Sequence, residues 1–139
     1  MKSMPDYKVN DIPLWDNDIP YYDKSIDQEI PSVTPFLLDN DGSPKPAVCV
    51  FPGGAYVFRA VDHEGWQIGN WLNSIGFNAF VVNYRYSPYR YPVPYTDGRR
   101  AISYVRKHAE KFGVDILIEN SAAAWNPEYY LMYGQEMAE

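Results

Sequence analysis

The stretch Phe51-Pro52-Gly53-Gly54-Ala55-Tyr56 is the first place where residue type and spacing suggest chemistry. An apolar run that ends in adjacent glycines leaves main-chain N–H groups unshielded, because no Cβ blocks the approach. Fixed N–H donors of this kind stabilise negative charge as it develops on a carbonyl oxygen. An ordinary glycine turn has the same composition, and the dipeptide alone does not separate the two. The second place is the Tyr-, Pro- and Arg-rich run from Tyr84 to Tyr95. Here Tyr86, Tyr89 and Tyr91 could stack on a sugar ring, with Arg85 and Arg90 holding a carboxylate or shaping the loop. Equally, the tyrosines and prolines could brace a long connection against the body. His108, between Lys107 and Ala109 and two residues from Glu110, reads as part of a solvated helical face. Cys49 lies in an apolar run and reads as a buried structural thiol. As a lone cysteine it excludes an internal disulfide and a cysteine-based metal cluster. No pair of histidines has ligand spacing, and no glycine-rich loop carries a phosphate-binding lysine, so neither a metal nor a cofactor is expected.

The elements that must position these residues follow from periodicity. Residues 1–28 are polar, rich in Asp, Tyr and Pro, and form an irregular arm anchored by Trp15, Tyr21 and Tyr22. Ile30 to Leu38 reads as a strand, demoted to an edge by Pro31 and Pro35. Asp39-Asn40-Asp41-Gly42 is a turn, since Asn and Gly tolerate positive φ. Ala47 to Phe51 is a short apolar strand. Asp62 is placed to cap a helix whose Ile68, Trp71, Leu72 and Ile75 share a face, and Gly76 ends it. Asn78 to Tyr84 is the next strand, which makes a βαβ unit and therefore a parallel pair. A second helix, Asp97 to Phe112, is capped by Asp97 and buries Ala101, Ile102, Val105, Ala109 and Phe112. Gly113 closes it, and Val114 to Ile118 is a further strand. The order β-β-α-β-α-β assigns the α/β class, with a mostly parallel twisted sheet and flanking helices. The domain plan is an arm at 1–28, a core at 29–118, and a divergent loop and short helix at 119–139. In that last segment Asn126-Pro127-Glu128 starts a helix with Tyr129, Met132, Tyr133 and Met137 on one face.

At 139 residues the chain holds one domain at most. The net charge is −6 with both signs interspersed, and no Lys/Arg stripe supports nucleic-acid binding. No segment approaches the ~20 apolar residues of a membrane-spanning helix. The polar Met1 to Asn10 has no apolar core of a signal peptide, so the expected location is cytoplasmic.

The stretch from Phe51 to Asp115 resembles the α/β-hydrolase esterases related to acetylxylan and feruloyl esterases. The resemblance rests on Pro52-Gly53-Gly54-Ala55-Tyr56, His63-Glu64-Gly65, Trp71 to Gly76, Asn83-Tyr84-Arg85-Tyr86, Tyr91-Pro92, Pro94 and Asp97, in that order and at matching spacing. The Leu14-Trp15 pair resembles the same family's N-terminal region. Several linked motifs in sequence are more specific than one glycine pair. The resemblance implies an oxyanion loop at Gly53, Gly54 and Ala55, with backbone amides as donors. It implies a cleft lined by Tyr56, with His63 either structural or lining that cleft, and a small ester or acylated carbohydrate as substrate. Ala55 stands where the family has a third glycine, which suits it only if its φ is negative. The family's nucleophile elbow, Gly-x-Ser-x-Gly, has its nearest match at Glu119-Asn120-Ser121-Ala122-Ala123. Ser121 is thus the candidate nucleophile, and Ala122 a candidate donor of the second oxyanion N–H. Both flanking glycines are replaced, and Glu119 puts a carboxylate at a crowded position.

In that family the triad runs Ser, then Asp or Glu, then His. No histidine follows Ser121, and both His63 and His108 precede it. A serine without a base is a poor nucleophile at neutral pH. The expectation is therefore a partial α/β-hydrolase fold, incomplete on its C-terminal side, in a truncated ester hydrolase of weak or no activity. A non-catalytic binding or interaction module derived from the same fold is the competing expectation. A split enzyme, with Asp and His supplied by another chain, is the third. A sheet that stops after its newest strand also leaves an edge through which the chain could self-associate.

Overall fold

The computed structural model describes residues 11–119, the side chain of residue 119 excepted. Five strands form one sheet: β1 (Ile12–Pro13), β2 (Ser32–Phe36), β3 (Lys45–Val50), β4 (Asn78–Asn83) and β5 (Val114–Glu119). Their spatial order is β1-β2-β4-β3-β5. β3 runs parallel to both β4 and β5, whereas β2 is antiparallel to β4 and β1 to β2. A single π-turn, Asp62–Trp66, leads directly into helix α1 (Gln67–Ser74) between β3 and β4. Helices α2 (Val93–Lys107) and α3 (Ala109–Phe112) connect β4 to β5. The expected β-β-α-β-α-β order is present from β2 to β5, with β1 added before it and the second helix broken at His108, and the parallel βαβ pairing is present.

Strand alternation divides the core between the two faces of the sheet. Ala47, Cys49, Phe51, Phe80, Val82 and Tyr84 pack with Ala101, Ile102, Val105 and Phe112. Val50, Ala79 and Val81 pack on the opposite face with Phe36, Trp66 and Leu72. Cys49 is buried and free, as its apolar setting implied. Gly76 and Gly113 both take positive φ where they close helices, at +91° and +69°.

Several local expectations are corrected. β2 is not the outermost strand, but β1 covers only Ser32 and Val33. Among the described residues Pro35 lies beyond that cover, so its missing N–H costs no ladder bond on that side. Asp62 makes no capping hydrogen bond, because the helical segment begins with the π-turn. Trp71 and Ile75, expected on the buried face of α1, are 57% and 49% exposed. The buried line is Gly65, Trp66, Gly69 and Leu72. A Cβ on Gly69 would stand 2.8 Å from the Phe36 ring, so the helix docks through a glycine, which a hydrophobicity pattern does not register. α2 starts four residues before Asp97, with Pro94 in its first turn. Asp97 is thus a fully buried mid-helix residue rather than a cap.

The arm is held differently from expectation. Tyr21 and Tyr22 are exposed, and the anchor is Leu14, which sits in the core. The Leu14 carbonyl accepts a bond from Arg100 Nε at 2.7 Å. Trp15 is half-buried, with the Arg100 guanidinium over its ring. No described helix is long and apolar enough to cross a membrane.

Candidate active site

The glycine turn begins where β3 ends, at the carboxyl end of the parallel strands. This is the end of an open α/β sheet at which ligands bind. Gly54 takes φ +151°, and a Cβ there would lie 1.9 Å from the Phe58 carbonyl oxygen. Only glycine fits without movement of the loop. Ala55 and Tyr56 both adopt left-handed φ, +55° and +62°. Ala55 therefore carries a strained conformation that a glycine would hold without strain, at a cost of about 1 kcal/mol, and the negative φ that would have suited an alanine here is not found.

The turn's hydrogen bonds are one-sided. Its carbonyls are engaged: Gly53 accepts from Ala60 N at 2.9 Å, Gly54 from Val57 N at 3.0 Å, and Tyr56 from Ser87 N at 2.8 Å. The Pro52 carbonyl accepts from the Tyr84 hydroxyl. The amides of Gly53, Gly54 and Ala55 find no acceptor among the described residues. The loop thus presents donors and little else. The Glu64 carboxylate lies close by, since a Cβ on Gly53 would stand 3.3 Å from its Oε1.

Behind the turn is a buried polar frame. Arg85, expected to hold a carboxylate or shape its loop, does the second by means of the first. Asp97 accepts from Arg85 N at 2.8 Å, Nε at 2.9 Å and Nη2 at 2.7 Å. Both side chains are buried, 2% and 0% exposed. Burial lifts the Asp97 carboxyl above its ordinary range despite Arg85. Burial opposes the charge on Arg85 too, but Asp97 outweighs it and holds the guanidinium protonated. Arg85 Nη1 also donates to the Pro20 carbonyl at 2.9 Å, and its guanidinium lies 4.9 Å from the centre of the Tyr89 ring. Arg59 adds a second clasp. It donates to the Tyr84 carbonyl at 3.0 Å and to Glu29 at 2.6 Å, with its guanidinium over the Tyr86 ring. Burial pushes the Tyr84 hydroxyl up to about 12.

The sequence candidates separate accordingly. Gly53, Gly54, Ala55 and Tyr56 form the turn. Tyr86 is half-buried and Tyr91 exposed, at the same end of the sheet. Tyr89 is buried, and its hydroxyl bonds the main chain of Asp23, so it braces the loop and offers no ring to a ligand. His63 is exposed in the π-turn. His108 packs between Tyr104 and Phe112. Neither histidine hydrogen-bonds a serine among the described residues. Ser121, Ala122 and the Asn126 to Glu139 helix lie outside those residues. Sequence reasoning missed Arg59, whose ion pair spans thirty positions and has no local signal.

The family model BD-FAE matches residues 36–120. This chain belongs to the BD-FAE family. It is 35% identical over 69 residues to an acetylxylan esterase of Xylanibacter ruminicola, covering 50% of this chain and 14% of the relative. It is 30% identical over 128 residues to an endo-1,4-beta-xylanase B of Butyrivibrio fibrisolvens, covering 81% and 20%. Among solved structures it is similar to an acetyl ester-xyloside bifunctional hydrolase from Caldicellulosiruptor lactoaceticus. That match has TM-score 0.73 and 43% identity, covering 81% of this chain and 42% of the other. An alpha/beta hydrolase, MGS-M1, from a deep-sea metagenome library of the Medee basin matches with TM-score 0.59 and 28% identity, covering 64% and 40%. This BD-FAE chain therefore has an α/β-hydrolase fold in part, and it spans a fifth or less of the curated relatives named here.

Proposed function

We propose that this BD-FAE chain is the oxyanion-side portion of a serine carboxylic-ester hydrolase acting on acyl esters carried by carbohydrate. The observation that carries the reading is the one-sided glycine turn, with engaged carbonyls and unengaged amides at the carboxyl end of the sheet. An ester carbonyl oxygen placed against Gly53, Gly54 and Ala55 gains donors as it becomes an oxyanion. Ala122 would add a further amide, and Ser121 would be the attacking group. Relatives named as acetylxylan esterase and acetyl ester-xyloside hydrolase support an acylated sugar as substrate. Both histidines of this sequence precede Ser121, against the family order of serine, acid and histidine, so turnover by this chain is expected to be slow, of the order left when a triad is disabled.

The test is hydrolysis of 4-nitrophenyl acetate by the purified chain. The expected result is a slow rate above buffer, about as slow in Ser121→Ala and reduced about a hundredfold in Gly54→Ala. Circular dichroism checks that each variant is folded. A rate unchanged by Gly54→Ala refutes the reading. One observation favours a second reading: His63 is exposed and His108 is packed between aromatic rings, so neither is set as a base. A folded chain that binds ligand without turnover would be the non-catalytic module.

A further inference from the structure

A groove lies between the arm and the loop after β4, and it is separate from the glycine turn in sequence but linked to it by one bond. It is lined chiefly by Asp23, Ser25, Asp27, Gln28, Tyr86 and Ser87, with a volume of about 560 Å³. That falls in the range of small-molecule sites. Its position follows from strand direction. Ser32 pairs with Asn83, so the residues just before Ser32 meet the chain just after Asn83 at the carboxyl end of the parallel strands. Ser87, on the groove wall, donates to the Tyr56 carbonyl of the turn at 2.8 Å.

The walls are fixed. Gln28 Nε2 donates to the carbonyls of Tyr86 and Ser87 at 2.8 and 3.0 Å, and its Oε1 accepts from Tyr86 N at 3.2 Å. The Tyr89 hydroxyl holds the main chain of Asp23 from the other side. Ser25 donates to Asp23 through both its amide and its hydroxyl, which sets the Asp23 carboxylate in place and draws its pKa down. Asp27 is left over: among the described residues its carboxylate meets no donor, and it faces the same space.

We infer that this groove is the carbohydrate subsite of the proposed hydrolase, holding a neutral sugar whose acyl ester reaches the Gly53–Ala55 amides. The inference rests on the function proposed above. A sugar offers hydroxyl donors to carboxylates and an apolar ring face to a tyrosine, and Tyr86 supplies the aromatic surface. The lining holds two carboxylates and no lysine or arginine, which disfavours uronic acids and other anions. A metal is not the occupant the residues fit, since no group of three or more His, Cys, Asp or Glu suited to an ion is present among the described residues.

The experiment is calorimetric titration of the chain with unacetylated xylotetraose, which contains no ester. Saturable binding is expected, weakened about tenfold in Asp27→Ala and at least as much in Tyr86→Ala. Asp27 is exposed, so its variant has no reason to misfold. Asp41→Ala, at the opposite end of the sheet, is expected to bind as the parent does. The same oligosaccharide bearing a glucuronic acid is expected to bind several-fold more weakly. No saturable binding, an Asp27→Ala variant that binds as the parent does, or equal binding of the acidic sugar would each overturn the inference. Sugar binding without aryl-acetate turnover would sink the hydrolase reading and leave the subsite standing. Turnover without sugar binding would do the reverse.

Discussion

Replacing Asp97 with asparagine keeps the shape of the side chain and removes the charge that faces Arg85. In the parent, three N–H donors of Arg85 converge on the two carboxylate oxygens at 2.7–2.9 Å, in a setting where neither side chain is more than 2% exposed. Asparagine offers one oxygen and one NH2, so at least one donor must face another donor. The guanidinium would then stay charged and buried with neutral partners alone, the Pro20 carbonyl among them. Removing one member of a buried pair costs about 3–5 kcal/mol. A domain of this size has total stability of about 5–15 kcal/mol, so Asp97→Asn should lose about a fifth of it or more. Urea denaturation followed by far-ultraviolet circular dichroism measures the loss, with the slope checked for constancy. The double variant Arg85→Met/Asp97→Leu should recover much of it, because neither charge is then left alone. A loss below about 1 kcal/mol in Asp97→Asn would refute the argument that this pair frames the site.

Other outcomes can be checked in the same way. Glu29→Ala should change stability by less than about 1 kcal/mol in urea melts, because Glu29 is more than half exposed although its partner Arg59 is buried. Gly69→Val should cost about 1–3 kcal/mol or more through overlap with the Phe36 ring, read as a lowered thermal midpoint. Tyr84, raised from 10.0 to about 12 by burial, favours its neutral form in the fold. Its contribution is therefore complete below about pH 10 and is lost as the pH rises toward 12, by up to about 3 kcal/mol. Tyr84→Phe should remove that alkaline dependence from melts taken between pH 9 and 12. β5 pairs on one side among the described residues and leaves Ile116 and Ile118 exposed; we propose that copies of the chain associate through this edge, so Ile116→Lys should shift size-exclusion elution toward the monomer.

What the sequence disclosed and what it hid divide along a physical line. Strands β3, β4 and β5 were legible because continuous apolar runs between glycines have few other uses. The α2 face at Ala101, Ile102 and Val105 was legible because its period is helical. The buried face of α1 was not, because close helix–sheet contact is made by Gly65 and Gly69, which carry no hydrophobic signal. Asp97 was misread because a carboxylate before a helical pattern looks like a cap, and only the fold brings Arg85 to it. Tyr89 and Tyr86 are three residues apart and of one type, yet one is a buried brace and the other lines a groove. Composition places aromatics in that loop, but it does not say which way each ring turns.

The glycine turn offers chemistry through its main chain, so the filter on mutation there is an angle. At position 55 the side chain need only tolerate a φ near +55°, which asparagine and aspartate do and valine and isoleucine do not. Homologous proteins could therefore change the letters at 55 and 56 freely within that small set and keep the same array of donors. Position 54 has no such latitude, and a non-glycine there would mark a chain that had given up the array.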